Sequence, residues 1–171
     1  MLVFLDIDGV LSTPSSLAAA CRGGVKRDEQ LRDALDERLI KHLSEALSRG
    51  ASPLDTKIVI SSSWRILFME QLPRWLKEKG LSYEVIGRTP KLYTDEPGVA
   101  SVARGLEISA WLWLNREKYW RPRYVVIDDE SDAGFGHEGR FVKCDMNRGF
   151  DMDTELYATK LLREINGADP Y

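Results

Sequence analysis

Short apolar segments alternate with helix-like segments along this chain of 171 residues. Because such alternation places strands side by side with helices packed over them, it predicts an α/β fold: a three-layer α/β/α, Rossmann-like arrangement with a mainly parallel sheet. Strands that are covered on both faces are short and mostly apolar, as these segments are. The predicted strands are Leu2–Leu5, Lys57–Ile60, Tyr83–Ile86, Tyr124–Ile127 and Arg140–Lys143.

Four further segments have the apolar spacing of a helix with one buried face. In the first, apolar residues recur from Leu35 to Leu47, and Gly50 ends the pattern. Pro73 lies inside the second segment, Ile66–Lys79, and predicts that the helix kinks or starts again there, because proline lacks the amide hydrogen that a helix interior needs. The other three predicted helices are Ile66–Lys79, Leu106–Leu114, and a helix that Asp153 or Thr154 caps and Gly167 ends.

Two segments show no such periodicity. Residues 12–24 are rich in Ser, Ala and Gly and are followed by a highly charged stretch, and residues 88–103 contain Pro90, Pro97 and Gly98. Neither segment is long enough to form an inserted domain. We therefore expect residues 1–171 to form a single domain with a minimal cap, in which loops alone cover the site.

Composition narrows the classes of protein. A net charge of −3 gives no global field that attracts nucleic acid or an anionic membrane, although it does not exclude local basic patches. Cys21 and Cys144 lie far apart, which favours a reducing compartment over a disulfide. His42 and His137 are too few for a zinc site, and the glycines around His137 predict a surface position. No stretch approaches membrane-spanning length, so we expect a cytoplasmic protein without a membrane partner.

Acidic and hydroxyl side chains follow three of the predicted strands. Asp6 and Asp8 follow the first, and because side chains alternate along an extended chain, both point to the same side. Residues 61–63 are three serines after the second strand, and residues 128–130 are Asp-Asp-Glu after the fourth. Ligands of open α/β sheets bind at the carboxyl ends of the strands. The sequence therefore predicts a polar site at one edge of the sheet.

This ordered set resembles the haloacid dehalogenase (HAD) superfamily of phosphatases over about residues 1 to 145. Asp6-x-Asp8-Gly9 matches the first motif of the superfamily, Ser61 the second, and Asp128-Asp129 the fourth. The third motif is a basic residue at the start of a helix, most often lysine. The resemblance implies that Arg104 fills this place, with Lys91 and Arg88 as rival candidates.

Two stretches narrow the resemblance. Ser61-Ser-Ser-Trp-Arg65 and Ile127-Asp-Asp-Glu130 are similar to the small HAD-like domains associated with RNA-repair proteins. They are more loosely similar to the phosphatase half of polynucleotide kinase-phosphatases. The resemblance points to a phosphorylated substrate, either a 3′- or 5′-phosphate on a polynucleotide end or a nucleotide. Dehalogenases of the superfamily lack the second aspartate, so Asp8 favours a phosphatase.

The residue types suit phosphoryl transfer. Asp6 can attack phosphorus to form an aspartyl-phosphate, and Asp8 can protonate the leaving oxygen and then deprotonate the hydrolytic water. Mg²⁺ prefers oxygen ligands, which Asp6, the backbone carbonyl of Asp8, and Asp128 or Asp129 can supply. Side chains that can contact the substrate phosphate are Ser61, Ser62 and Arg104. The hypothesis is a Mg²⁺-dependent phosphomonoester hydrolase; the alternative is a catalytically silent HAD-like domain that binds phosphate or regulates.

Two further features have more than one interpretation. Residues 116–123 interleave basic and aromatic side chains. They can grip a nucleic-acid strand, or they can be cations near the carbonyl groups that end a helix. Trp64 can contact substrate or pack in the core, and packing is the more frequent role of a tryptophan.

Overall fold

A computed structural model describes residues 1–21, 26–52, 54–93 and 102–167. None of the helices in these ranges is both long and apolar enough to cross a lipid bilayer. The strands are β1 (Leu2–Leu5), β2 (Lys57–Ile60), β3 (Glu84–Arg88), β4 (Tyr124–Asp128) and β5 (Phe141–Lys143). The helices are α1 (Pro14–Ala20), α2 (Arg27–Ala34), α3 (Glu37–Gly50), α4 (Leu72–Glu78), α5 (Arg104–Leu114) and α6 (Met152–Gly167).

The five strands form one sheet in the order β3-β2-β1-β4-β5, and every neighbouring pair is parallel. The predicted α/β fold with a parallel sheet is confirmed. Leu5 at the end of β1 is in register with Ile60 of β2 and Ile127 of β4. The three central strands therefore end level with one another, and their next residues leave the sheet side by side.

Helices cover both faces of the sheet. Val3 and Leu5 of β1 belong to a core cluster that includes buried residues of α3, α4 and α6. Leu2 and Phe4 belong to a second cluster with Ile108 of α5. Since alternate residues of a strand point to opposite faces, β1 divides its side chains between two helical layers. This produces the three predicted layers.

The segment after β1 differs from the expected loop, because it contains α1 and α2. A capping box starts α1: Thr13 and Ser16 each bond the other's backbone, and Pro14 occupies the first turn. Neither helix has an apolar stripe, since α1 buries no side chain and α2 buries only Ala34. The expected loop-only cap is therefore wrong for this segment. In the other non-periodic segment, Pro97 and Gly98 lie outside the described residues.

Two helix boundaries also differ from the prediction. Only Leu72–Glu78 of the predicted Ile66–Lys79 helix is α-helical, and Pro73 lies in its first turn. Proline fits there because the first amides of a helix have no intrahelical partner. In α6 the cap is Asp151, neither Asp153 nor Thr154: its Oδ1 accepts from the Thr154 amide at 3.0 Å.

Candidate active site

Three carboxylates meet at the carboxyl ends of β1 and β4. Asp6 and Asp128 are almost fully buried, at 3% and 0% exposure, and Asp129 is half-buried. One oxygen from each lies within 4.8 Å of the others. The register of the three central strands produces this cluster, because Asp6 and Asp128 follow residues that pair across β1 and β4. The carboxylates that the sequence assigned to two separate strands thus share one small volume.

Burial disfavours the charged forms of these groups. Burial raises the pKa of Asp6 to about 6, against the opposing effects of the Arg104 guanidinium and a hydrogen bond with Ser62. Burial and then repulsion from Asp6 raise the pKa of Asp128 to about 8. Burial also raises the pKa of Asp129. Simultaneous ionisation of the three carboxyl groups is therefore costly without a cation, and a bound divalent cation would stabilise their charged forms.

The donor set fits a hard divalent cation. Asp128 Oδ1 accepts the Glu130 amide at 2.8 Å, whereas its Oδ2 is buried without any hydrogen-bond partner in the described part of the protein. A buried carboxylate oxygen is stable when it has a partner, and Mg²⁺ is bound through one or two such carboxylates. The carboxylate of Asp8 is not part of this cluster, so its predicted contribution to a metal would be its backbone carbonyl.

Gly9 allows the first strand exit to approach Asp129. Its φ is +67°, a left-handed conformation that residues with a Cβ rarely adopt. A Cβ at this position would lie only 2.3 Å from Asp129 Cγ. Two independent constraints, backbone conformation and space, therefore require glycine beside the carboxylate cluster.

Asp8 lies at the surface and is held by a tryptophan. Trp64 Nε1 donates to Asp8 Oδ2 at 2.8 Å. The Trp64 ring is buried and packs edge-on against Phe68, with the centroids 6.1 Å apart. Trp64 therefore does pack in the core, as its residue type suggests, but it also binds the second aspartate. No local sequence pattern indicates that bond, which joins residues 56 positions apart.

The two predicted phosphate-binding serines have different surroundings. Ser61 Oγ is buried and has no hydrogen-bond partner among the described residues. Ser62 Oγ accepts the Trp64 amide at 3.3 Å and caps the short 3-10 turn Ser63–Arg65. Of the two hydroxyls, that of Ser61 thus lacks a hydrogen-bond partner in the described ranges, whereas Ser62 also supports local structure.

Arg104 is the candidate cation that faces the carboxylates. Its Nη1 donates to Asp6 Oδ1 at 3.2 Å, and its Nε lies 3.7 Å from Asp128 Oδ2. Its amide, in the first turn of α5, donates to Asp132 Oδ2 at 3.0 Å. The rivals make other contacts. Arg88 donates to a backbone carbonyl, that of residue 65, at 2.5 Å, and the Lys91 ammonium lies over an aromatic ring.

A buried ion pair, which sequence reasoning missed, supports the second strand exit. Arg65 Nη2 donates to Glu107 Oε2 of α5 at 2.5 Å, and both side chains are buried. The same guanidinium donates to the carbonyls of Ser61 and Ser62 at 3.0 and 2.8 Å, and to that of Thr89 at 3.1 Å. The pair therefore ties the ends of β2 and β3 to α5. The sequence shows neither partner as special, because they are 42 residues apart.

The structure contradicts the surface position predicted for His137, which is buried at 3% exposure. Its Nδ1 bonds the Tyr124 hydroxyl at 2.9 Å, and its Nε2 lies 2.9 Å from the Gly105 carbonyl. Neighbouring glycines suggested an exposed loop, but the ring joins the start of β4 to α5. Its bonds are structural.

A comparison with models of protein families gives a match over most of the chain. Residues 2–154 match the family described as the HAD domain in Swiss Army Knife RNA repair proteins. No curated protein and no solved structure matches the chain. The matched range contains all three carboxylates of the cluster, together with Asp8, Ser61 and Arg104.

Proposed function

The chain belongs to the family of HAD domains of Swiss Army Knife RNA repair proteins, and from this membership and its site we propose that it is a Mg²⁺-dependent phosphomonoester hydrolase that acts through an aspartyl-phosphate. One observation carries the proposal. Asp6, Asp128 and Asp129 each offer an oxygen within 4.8 Å of the others, and a second aspartate, Asp8, follows two residues after the first.

The carboxylate cluster would hold the metal. Its ligands would be Asp6, Asp128, Asp129 and the backbone carbonyl of Asp8. When bound, Mg²⁺ neutralises charge on the phosphoryl oxygens. The buried Oδ2 of Asp128 supports this assignment, because it accepts no hydrogen bond from the described residues and its charged neighbour, Arg104 Nε, lies 3.7 Å away.

The reaction is divided between two aspartates. An oxygen of Asp6 forms a bond to phosphorus while the bond from phosphorus to the ester oxygen breaks, and Asp8 gives its proton to that oxygen. Asp8 then takes a proton from a water molecule that attacks the phosphoryl group. The bond from Asp6 to phosphorus breaks, phosphate leaves and Asp6 is restored. Although Asp8 reaches the surface, partial removal of its carboxyl group from solvent raises the pKa of Asp8, which favours a carboxyl group that holds a proton to donate.

Two side chains would bind the phosphoryl oxygens. Ser61 has a buried hydroxyl with no hydrogen-bond partner in the part of the chain that the structure describes, so a substrate oxygen can accept its hydrogen. Arg104 already contacts Asp6 Oδ1, next to the position that phosphorus would occupy, and its guanidinium matches phosphate geometry. Ser62 is the secondary candidate, since its oxygen also accepts the Trp64 amide.

The substrate we propose is the phosphorylated end of a polynucleotide. The family name refers to RNA repair, and the Asp8 side chain is exposed, which leaves it accessible to a large substrate. A nucleotide is the smaller alternative. RNA oligonucleotides with a 3′- or 5′-phosphate, compared with mononucleotides at equal concentration, separate the two. Turnover of mononucleotides alone would contradict the polynucleotide assignment.

The activity is tested with p-nitrophenyl phosphate and Mg²⁺. We expect turnover by the unaltered protein, none above background by Asp6→Asn, and an unchanged rate for Asp153→Asn, an exposed carboxylate outside the site. Mass spectrometry of acid-quenched protein should find a phosphoryl group on the peptide that contains Asp6. Equal rates for the unaltered and Asp6→Asn proteins would exclude Asp6 as the nucleophile.

One observation favours the alternative, a catalytically silent domain that binds phosphate. Arg104 already pairs with Asp6 and approaches Asp128, so it neutralises part of the cluster without a metal. Beryllofluoride, which mimics a phosphoryl group on a carboxylate, distinguishes the two. Binding of beryllofluoride by a folded, Mg²⁺-loaded sample that hydrolyses nothing in a broad phosphoester panel would establish the silent domain.

A further inference from the structure

The end of α5 and the loop after it form a cationic, aromatic surface, here called the basic–aromatic surface. Its members are Trp113, Arg116, Lys118, Trp120 and Arg121. Residues 113–123 contain four cationic side chains and one acidic one, whereas the whole chain has a net charge of −3. Trp113 and Trp120 are 66% and 75% exposed. Positive charge and large apolar rings are thus concentrated in one segment of an otherwise acidic protein.

Each exposed ring is paired with a cation. The Arg116 guanidinium lies 4.1 Å from the centroid of the Trp113 ring, and that of Arg121 lies 5.7 Å from the Trp120 ring. Cations at these distances are attracted to the ring face. The arrangement brings a flat apolar surface and a phosphate-binding group together at two positions on the same segment.

The loop is anchored from inside. Tyr119 stacks on the buried Trp111, with ring centroids 5.7 Å apart and an angle of 27° between the planes. Trp111 in turn meets Phe4 of β1 edge-on at 5.4 Å. Trp120 directly follows the anchored Tyr119, so its exposed ring is attached to a fixed point. Arg121 has a φ of +46°, a strained conformation that tends to occur at functional surfaces.

We propose that the basic–aromatic surface binds single-stranded nucleic acid. Bases stack on Trp113 and Trp120, and phosphates pair with Arg116, Lys118 and Arg121, which is the combination that single-strand-binding proteins use. An acidic peptide would satisfy the cations but would leave both indoles without a stacking partner. A nucleic-acid strand, with flat bases and a charged backbone, can contact both the tryptophan rings and the cationic side chains of the surface.

The surface lies one helix length from the carboxylate cluster. Arg104 at the start of α5 contacts Asp6, and α5 ends at Leu114, so its 11 residues separate the two regions by about 16 Å. At about 3.4 Å per stacked nucleotide, roughly five nucleotides would reach from one to the other. The interpretation of this distance rests on the proposed function: the basic–aromatic surface binds the strand while the terminal phosphate enters the site.

Binding can be tested without turnover. The probe is a fluorescein-labelled RNA of mixed sequence and about 16 nucleotides, the upper end of single-strand site sizes, without terminal phosphates. By fluorescence anisotropy we expect Trp113→Ala and Trp120→Ala each to weaken binding about tenfold, the loss typical of one stacked base. Arg116→Gln with Arg121→Gln should weaken binding and reduce its salt dependence. Tyr157→Ala, an exposed aromatic on α6, should bind like the unaltered protein.

Each outcome decides the proposal. Equal RNA affinity in the unaltered protein and both tryptophan variants would overturn it, even if the arginine variant binds less, because the surface would then be a general polyanion site. Full competition by polyglutamate at equal charge would overturn it as well. The probe has no terminal phosphate for a phosphomonoester hydrolase to remove. A protein that binds this RNA through the two rings but hydrolyses no phosphomonoester would therefore refute the proposed phosphatase and support this binding site.

A second, independent observation concerns the indole of Trp64. It donates to Asp8 Oδ2 at 2.8 Å, and its ring is held in the core next to Phe68. We propose that Trp64 is a positioning residue for Asp8 in the proposed phosphatase reaction, on which this inference rests. The indole holds Oδ2, and this fixes the direction of the other carboxyl oxygen, Oδ1, towards the leaving group.

The test compares two leaving groups. The ratio kcat/KM covers the steps up to cleavage of the ester bond, and p-nitrophenolate leaves without a proton whereas an alkoxide needs one. Trp64→Phe should therefore lower kcat/KM for ethyl phosphate at least tenfold more than for p-nitrophenyl phosphate, as part of the 10²–10⁴-fold effect typical of a general acid. Phe68→Leu disturbs the same packing without touching the hydrogen bond and should lower both values equally.

Equal losses on the two substrates in Trp64→Phe would overturn the positioning role. A measurement without turnover covers the case in which Trp64→Phe does not fold. The NMR signal of the Trp64 indole proton should move upfield in Asp8→Ala, because its acceptor is removed, and an unmoved signal would overturn the contact. Absence of activity in the unaltered protein would instead refute the proposed phosphatase.

Discussion

Several residues at the strand exits serve the fold and the proposed chemistry together. The Ser61 carbonyl accepts hydrogen bonds from Arg65 and Arg104, while its hydroxyl is left for a substrate oxygen. Trp64 fills the core and binds Asp8. Substitutions at these positions change stability and activity at once. Each therefore needs a control in which only one of the two roles is altered.

Gly9 provides such a case. Gly9→Ala places a Cβ 2.3 Å from Asp129 Cγ at a φ of +67°. We expect a loss of about 1–2 kcal/mol from the backbone conformation alone, further loss from the collision, and weaker Mg²⁺ binding because Asp129 must move. Urea unfolding and isothermal titration with Mg²⁺ measure the two effects.

Gly136 is the matched control. Its φ is +78°, close to that of Gly9, but a Cβ there would meet no atom of the described residues within 4 Å. Gly136→Ala should lose only the conformational part of the stability and bind Mg²⁺ normally. If both alanine variants lose equal stability and keep equal Mg²⁺ affinity, the approach of Gly9 to Asp129 has no role in the site.

The two cysteines should differ sharply in reactivity. Cys21 is exposed and Cys144 is buried, and burial with nearby carboxylates raises the pKa of the Cys144 thiol. Since the thiolate is the reactive form, iodoacetamide should modify Cys21 in the folded protein and Cys144 only after denaturation. Mass spectrometry of the labelled peptides measures this, with Cys21→Ser as the control. Rapid labelling of Cys144 without denaturant would mean that this part of the core opens.

At the level of elements, the sequence best predicted the strands, whose positions depend on the pattern of apolar residues alone. The strands are apolar runs, and the predicted and observed bounds differ by at most two residues at either end. The pattern failed for α1 and α2, which bury almost no side chains and so have no apolar stripe to detect. A different signal was present: Thr13-Pro14 followed by Ser16 is a capping sequence. Caps therefore reveal surface helices that periodicity misses.

The ion pair between Arg65 and Glu107 joins three elements and should be costly to break. Removal of one partner leaves a buried, uncompensated charge, so Glu107→Gln should lower the free energy of unfolding by about 3–5 kcal/mol. It should also lower activity, because Arg65 holds the carbonyls of Ser61 and Ser62. Urea unfolding and the phosphatase assay measure both effects.

The exposed pair between Lys57 and Glu84 is the control for that prediction. It has the same 2.5 Å separation, but both side chains reach solvent. Exposed pairs contribute little to stability, so Glu84→Gln should leave the unfolding midpoint and the activity nearly unchanged. Similar midpoints for Glu84→Gln and Glu107→Gln would show that the buried pair does not hold the site together.

At the scale of the molecule, sequence reasoning reached the site through topology. The order of β2, β1 and β4 in the sheet is one that doubly wound α/β sheets commonly adopt, and it places Asp6 beside Asp128. Contacts between distant side chains did not follow. The bonds of Arg65 to Glu107, and of the Arg104 amide to Asp132, join residues 42 and 28 positions apart. No local pattern encodes them, because they arise only when the layers pack.

The carboxylate cluster should make the stability of the metal-free protein depend on pH. Burial raises the pKa of Asp6 from 3.8 to about 6 and that of Asp128 from 3.8 to about 8. At a pH between the unfolded pKa of 3.8 and the raised pKa of each group, the folded protein binds more protons than the unfolded chain. The free energy of unfolding therefore falls as pH rises from about 4 to about 8. Urea unfolding in EDTA across this range measures the slope. Asp128→Asn should flatten it, because the group with the largest shift no longer titrates.

Mg²⁺ should reverse that loss. Its carboxylate ligands must be deprotonated, so Mg²⁺ competes with protons at low pH and binds more tightly as pH rises. The increase in melting temperature on addition of Mg²⁺ should therefore be larger at about pH 8 than at about pH 5, where protons still occupy the cluster. Asp153→Asn should show the same increase as the unaltered protein, and Asp128→Asn should show little. An equal increase at both pH values, or an equal increase in Asp128→Asn, would mean that the cation binds somewhere other than the strand exits.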